Sequence, residues 1–490
     1  MKKIFSVLTI LTLILSSCNN AIDIEQPGTL LAENAFQSVQ DFELGVLGIL
    51  GRLDNTVEIL ANAVFTDELA IGQDSGGQNV GNYSLNLNPT SGIPATLWIS
   101  YYISLNQVNK VIEAIDAYEV GTDEGARINN AKGQLLAIRA YLHFQVTTYF
   151  STNYADEAAL GAVLLDFVPS FSTEYPRNTN GEVYASIEAD LAAASSLLTN
   201  TSSRTFISKD FVTALKARMY AYRGQYTLAL ANANTLLAKY PLATSNQFTG
   251  MLEDSNEAGI IFELERTQSD DFNNQGTGGG GWAGSLFAFI NSTISGSPFM
   301  EMSRSLFNEL DANPGDIRRS AYVDSSSLID PAYASKSPNN PDDILVIKKY
   351  PGHDSQPLMN DIKIFRASEM LLIKAEAEAI ANNFAGAAAS IKQLRDARFA
   401  SAQPAPSYTS SQQAFAGILA ERRLELAFEG HRWIDIKRLG GLASVSIDRD
   451  PVDCSLYAAC TLANGDFRYT MPIPLGEIDV APELVQNAGY

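Results

Sequence analysis

The sequence predicts a mainly α protein: a superhelix of paired helices packed against an irregular, loop-rich subdomain. Three observations carry this. Apolar residues recur at steps of three and four through the stretches 95–150, 181–240 and 363–438. Small and aromatic residues stand in equivalent places in two of those stretches. In between and beyond, residues 243–360 and 440–490 are crowded with Gly, Pro, Asn, Ser and Asp, and their apolar runs, such as Gly259–Leu264 and Ile344–Ile347, are of strand length at most.

Each element follows from its own pattern. Trp98, Tyr102, Leu105, Val108, Ile112 and Ile115 form one apolar stripe, and Ile128, Ala131, Leu135, Ile138, Leu142 and Gln145 form a second. Thr179 and Glu182 have the spacing of a capping box, which opens a third helix with Val183, Ile187, Leu191, Ala194 and Leu198 inward. Ser208 caps a fourth helix that ends near Gly224, and a fifth runs from Tyr226 to Lys239 and stops at Pro241. Ala217, Tyr220, Gly224, Tyr226, Ala229 and Pro241 fall at the spacing of a tetratricopeptide (TPR) unit, in which small residues let two helices approach and aromatics fill the gap. The segment from Ile364 to Ala400 repeats it with Ala375, Phe384 and Ala387. Asn382 replaces the turn glycine there, and the closing proline is missing. Trp98–Phe150 and Ser410–Leu439 read as two further pairs. Stacked hairpins bury one continuous seam and serve as binding scaffolds more often than as enzymes.

Composition narrows the function. Of 490 residues, 46% are hydrophobic and 18% charged, as in ordinary folded proteins, and the formal charge of −21 would repel a nucleic-acid backbone. The chain opens Met1-Lys2-Lys3, followed by an apolar run from Ile4 to Leu15, too short to cross about 30 Å of hydrocarbon and shaped like a secretory signal. Leu15-Ser16-Ser17-Cys18 resembles a bacterial lipobox. Residues 1–17 are then a signal peptide, Cys18 the lipidated mature terminus, 18–32 a linker and 33–490 the folded part. Export exposes Cys454 and Cys460 to an oxidising compartment, where a disulfide between them is expected. His143, His353 and His431 stand far apart with no Cys cluster, so neither a metal site nor a cofactor is expected.

Four places invite chemistry. Gly278–Gly281 lacks the Lys-Ser/Thr of a phosphate cradle and reads as a loop. Trp282, directly after it, reads equally as a sugar-stacking platform or as a buried anchor. Ala70–Asn88 combines short polar side chains with Tyr83, a composition suited to hydroxyl-rich ligands or simply to a solvated loop; Asp67, Glu68 and Asp74 within reach of it could hold calcium, though not in EF-hand order. Finally, charges alternate densely from Glu421 to Arg438. Pairing at helical spacing among Glu421, Arg422, Arg423 and Glu425 makes this a structural network; an acid/base pair drawn from Glu425, Glu429 and Asp435 beside His431 is the catalytic alternative. Neither GxSxG nor HExxH occurs.

Glu421-Arg-Arg-Leu-Glu-Leu-Ala-Phe-Glu-Gly-His-Arg-Trp-Ile-Asp-Ile-Lys-Arg438 closely resembles the C-terminal signature of SusD/RagB-type proteins. The lipobox, Trp98…Tyr102…Asn109-Lys-Val-Ile112, Gln134-Leu-Leu-Ala-Ile-Arg-Ala-Tyr-Leu-His-Phe144 and the ending Met471-Pro-Ile-Pro474…Glu477-Ile478…Gln486-Asn-Ala-Gly-Tyr490 agree in order; Ile436 and Ala488 depart from the usual Leu and Pro. The resemblance implies a surface-exposed outer-membrane lipoprotein of a Bacteroidetes-type bacterium. It implies a TPR-like half packed on an irregular half, and a SusC-like TonB-dependent β-barrel transporter as partner. Such a protein captures an oligomeric nutrient, usually a glycan and in some relatives a peptide, and delivers it without cleaving it. The early loop and the insertion are where such proteins differ. Tyr83 and Trp282 are accordingly expected as stacking residues, and Asp74 and Asn79 as hydroxyl partners. The rival readings are a glycoside hydrolase with a carboxylate pair and a TPR adaptor that binds only protein.

Overall fold

The computed structural model describes residues 35–490 apart from 73, 171, 269–280, 289–297, 337, 339 and 458. The signal peptide, Cys18, the 18–32 linker and Gly278–Gly280 lie outside the described residues.

Helix α1 (Val39–Arg52) starts at Ser38, whose backbone N–H donates to Asp41 Oδ2 at 2.8 Å. It leads into α2 (Thr56–Val64), a helix buried on every side, and then into strand β1 (Leu69–Ile71) and the single turn α3 (Val80–Tyr83). Two 26-residue helices follow, α4 (Gly92–Ala117) and α5 (Gly125–Phe150), with Trp98 of the first packed edge-on against Phe150 of the second at 4.9 Å. α6 (Asn180–Leu197) opens on Thr179, whose N–H donates to the Glu182 carboxylate at 2.8 Å, and α7 (Lys209–Tyr222) opens on Ser208. Gly224, at φ +72°, makes the turn into α8 (Tyr226–Leu237).

The chain then leaves the helical stack. It forms α9 (Ser245–Leu252), β2 (Ile260–Leu264), β3 (Met300–Met302), α10 (Arg304–Asp311), α11 (Ile317–Tyr322) and a tight hairpin of β4 (Gly352–His353) with β5 (Gln356–Pro357). It returns through β6 (Ile362–Arg366), which pairs antiparallel with β2 and closes the excursion at its base. α12 (Ala367–Ile380) then packs directly on α8, so the superhelix continues as if uninterrupted, through α13 (Phe384–Asp396), α14 (Ser411–Leu426) and α15 (Arg432–Ala443). Asn382 sits at φ +58° in the turn between α12 and α13, doing there what glycine does at 224. The last segment carries β7 (Ile447–Asp448), α16 (Pro451–Cys454), β8 (Thr461–Leu462) and α17 (Leu475–Val480).

Within this loop-rich excursion the regular elements are short: α9, α10 and α11 have eight residues or fewer each. Ile344–Ile347 takes part in isolated bridges, Leu328 to Ile344 and Val323 to Ile347.

Candidate ligand-binding surface

β1 pairs antiparallel with β3, and the chain past it stays tied to the excursion: Gly72 donates its N–H to the Phe299 carbonyl at 3.1 Å. A Cβ at Gly72 would lie 2.2 Å from the Pro298 carbonyl oxygen, so this approach requires glycine. Residues 74–79 then run over the surface, and α3 turns the chain back inward. Asp74 is exposed there. Asn79 is half-buried at φ +58°, and its Oδ1 accepts from Asn82 Nδ2 at 2.9 Å.

Tyr83 does not face solvent, which corrects its expected stacking role. Its ring is fully buried, with the Arg449 guanidinium 3.9 Å above it and Tyr457 packed edge-on at 5.4 Å. A ring so covered offers no face to a sugar. Trp282 is likewise buried and donates Nε1–H to the Thr267 carbonyl at 3.3 Å, which makes it an anchor of its loop. Tyr83→Ala should therefore lower the unfolding free energy by about 3–5 kcal/mol, as for other large core truncations. Tyr83→Phe should change it by less than about 1 kcal/mol, because the buried Tyr83 hydroxyl has no hydrogen-bond partner among the described residues. Urea unfolding of the two variants checks both.

Arg449 is what gathers this surface. Its guanidinium donates to the carbonyls of Thr66 (2.7 Å), Tyr83 (2.6 Å), Ala459 (2.8 Å) and Val64 (2.9 Å), joining the end of α2, the α3 turn and the C-terminal segment. A disulfide links Cys454 to Cys460, with Cα atoms 5.1 Å apart. The loop it closes displays Leu456, 58% exposed, and the half-buried Tyr457 beside α3. From the excursion comes a second half-buried ring, Tyr333, with Arg304 3.8 Å over one face and its hydroxyl 3.5 Å from Asp450 Oδ2. Sequence reading overlooked both rings. The available signal was the cysteine pair itself, since a pinned loop with an aromatic inside it presents that aromatic rigidly. Replacing both cysteines by alanine should cost about 2 kcal/mol for a loop this short and leave the helical fold intact, as measured by urea unfolding and far-UV circular dichroism.

The calcium reading of Asp67, Glu68 and Asp74 also needs correction. Asp67 is buried and bidentate to Arg432, both contacts at 2.8 Å, and the Arg423 and Arg432 guanidiniums hold its carboxylate well below the usual range. Burial pushes the Glu68 carboxyl up to about 8, leaving it uncharged at neutral pH. Asp74 is out on the surface. Elsewhere, Asp254, His353 and Asp361 bring ligand atoms within 4.8 Å of one another, but the Lys363 ammonium already lies against Asp254.

Apart from Arg438, which pairs with Asp435 on its own helix at 2.9 Å, the charged residues of Glu421–Arg438 pair across the fold rather than at the helical spacing expected among Glu421, Arg422, Arg423 and Glu425. Glu421 accepts from Arg318 and Arg395 at 2.7 Å each; Arg422 reaches Asp435 at 2.7 Å and Glu376 at 3.2 Å. Arg366, at the end of β6, donates to Glu425 and Glu429 at 2.8 Å, and Arg398 binds Glu425 at 2.7 and 2.6 Å. All these carboxylates are buried, and guanidinium neighbours hold three of them low: Asp435 falls to about 2, and Glu425 and Glu429 lie below their ordinary value. His431 is buried and its pKa is driven well down by desolvation, so it stays neutral. A general acid needs an elevated pKa and access to substrate; these groups have neither. The network locks stack, excursion and the Asp67 segment between α2 and β1 together.

Comparison with known proteins places this architecture. The SusD family matches residues 324–490, and a family described as starch-binding and associating with the outer membrane matches residues 57–221. The chain belongs to the SusD/RagB family. A SusD-like protein of Formosa agariphila is 25% identical over 483 residues, covering 90% of this chain and 91% of its own, and another from the same organism is 23% identical over 478 residues, covering 87% and 88%. Among solved structures, a SusD superfamily protein from Bacteroides thetaiotaomicron superposes with a TM-score of 0.77 at 22% identity, over 92% of this chain and all of its own. A laminarin-binding SusD-like protein superposes with a TM-score of 0.70 at 20% identity, over 93% of this chain and all of its own. In this SusD/RagB protein the candidate surface draws on both matched segments: β1 and α3 lie in the first, Tyr333, Arg449 and the disulfide loop in the second.

Proposed function

We propose that this chain is a surface-exposed lipoprotein of the outer membrane, anchored through Cys18, that captures an oligomeric glycan and delivers it to a SusC-like TonB-dependent β-barrel without cleaving it. Membership of the SusD/RagB family carries the reading; the similarity to a laminarin-binding SusD-like protein supports a glycan as ligand. Geometry supports a structural rather than a chemical role at the signature segment, whose carboxylates are all engaged by arginines. The ligand contacts are assigned to the surface over β1: Tyr457 and Tyr333 as ring contacts, Asp74 and Asn79 as hydroxyl partners. A tyrosine ring presents flat apolar area to the C–H face of a sugar, and short polar side chains bind its hydroxyls. Capture would then be coupled to closure over the barrel.

Affinity electrophoresis against laminarin, starch and other polysaccharides, combined with product analysis after long incubation, tests the reading. Retardation by at least one polysaccharide, with no shortening of it, is expected. Replacement of Tyr333 and Tyr457 together by alanine should weaken that retardation at least tenfold. Shortened chains would favour the hydrolase reading. Retardation by none of the polysaccharides would favour the adaptor.

A further inference from the structure

A separate cleft of about 390 Å³ lies between the α1–α2 turn, the amino-terminal half of α4 and the end of β2, within the size range of small-ligand sites. It sits at the amino end of α2, whereas the surface described above begins past the carboxyl end of that helix. Nine residues of helix, about 13 Å at 1.5 Å each, separate the two.

The chemistry of the cleft is mixed. Leu97 and Leu264 supply apolar wall, while Ser100 lies on the exposed face of α4 at its edge. Its back is polar. Glu58 is buried and accepts from the Tyr101 hydroxyl at 2.5 Å, and Asn55 Oδ1 accepts from the Tyr141 hydroxyl at 3.2 Å. Behind Glu58 and Asn55 lies a second hollow of about 20 Å³, room for one water. Thr148 and His431 line it, and both are more than nine-tenths buried, with Oγ1 and Nδ1 lacking a hydrogen-bond partner among the described residues. The wall shared by cleft and hollow is thus a hydrogen-bonding partition whose inner side has unused capacity. Charge is balanced as well. Arg52 and Asp54 line the cleft with opposite signs, and burial pushes the Glu58 carboxyl up to about 8, so it is uncharged at neutral pH. Such a lining disfavours ions and suits a neutral molecule with hydroxyls on one side and C–H groups on the other.

We propose that this cleft binds one uncharged, hydroxyl-rich molecule of monosaccharide size, with Glu58, Asn55 and Ser100 meeting its hydroxyls and Leu97 and Leu264 its apolar face. The site is independent of the glycan-capture surface and does not rest on it.

Saturation-transfer NMR and calorimetry on the purified chain, with D-glucose, D-galactose, D-mannose and D-glucitol as probes, test this at neutral pH. At least one probe should bind saturably. Ser100→Trp, a change at an exposed helix position that fills the cleft, should weaken it at least tenfold. The double variant Asp74→Ala, Asn79→Ala should leave it unchanged. A crystal of the chain soaked with the bound probe should show it against Glu58, a readout that stands even if Ser100→Trp fails to fold. The proposal is overturned if no probe saturates, if binding survives Ser100→Trp, if it disappears with the loop variant instead, or if residues 19–34 of the chain itself occupy the cleft in the crystal.

Discussion

Glu425→Leu should lower the unfolding free energy by about 3–5 kcal/mol. Glu425 is completely buried and accepts from Arg366 and Arg398, with Arg318 3.6 Å away. Its removal leaves those guanidiniums short of charge: Arg366 retains Glu429, Arg318 retains Asp316 and Glu421, but Arg398 falls back on backbone carbonyls, among them that of Ala243. Stripping one partner from a buried ion pair is far more damaging than replacing the pair as a whole. The same carboxylate makes stability depend on pH in a definite direction. Its folded pKa lies far below the value of about 4.3 for an unfolded glutamate, so its contribution is complete above that value and is lost as pH falls toward the folded one. Glu429 and Asp435 act in the same sense. Guanidinium unfolding at neutral pH and near pH 3 should therefore show a large gap between wild type and variant at neutral pH and a smaller one in acid. Equal gaps at both would remove Glu425 as the source.

Arg449→Met should have a comparable effect on stability, about 3 kcal/mol, and a second effect on binding. The four carbonyls it serves come from three segments remote in sequence, and each unsatisfied buried acceptor costs about 1–3 kcal/mol before the chain relaxes. Relaxation should pull α3 away from the disulfide loop, which spreads the proposed ring and hydroxyl contacts apart. Polysaccharide retardation should weaken at least tenfold although no altered residue touches ligand. Arg449→Lys should rescue neither property, because one ammonium cannot reproduce a planar fork that reaches four acceptors. Full rescue by lysine would mean that charge alone, rather than geometry, holds this surface.

Much of the helical stack could be read directly from residue patterns. The Thr179–Glu182 box, the Ser208 cap and the αL glycine at 224 are local devices, and each is where its chemistry requires. Asn382 in the place of that glycine was already visible as a variation on the same turn. What escaped was decided over long distances. Tyr83 sits in a polar loop, which reads identically whether its ring meets water or a guanidinium; the residue that covers it is 366 positions away. The charges of Glu421–Arg438 have the spacing of intrahelical pairs, yet most of their partners lie on β6, α11, α12 and α13 and at Asp67 just past α2, where low dielectric and fixed geometry favour arginine–carboxylate forks over exposed i, i+4 contacts. The short helices of the excursion carry too few residues for periodicity to show.

The central claim, a glycan-capturing lid on an outer-membrane transporter, is tested most directly by isolating the tagged chain from native outer membranes in mild detergent and identifying what accompanies it by mass spectrometry. A lid that closes over a barrel must bury an interface large enough to survive such extraction. A large β-barrel transporter in near-equal amount is expected; its absence, with the chain recovered intact and still retarded by polysaccharide, would contradict the delivery role.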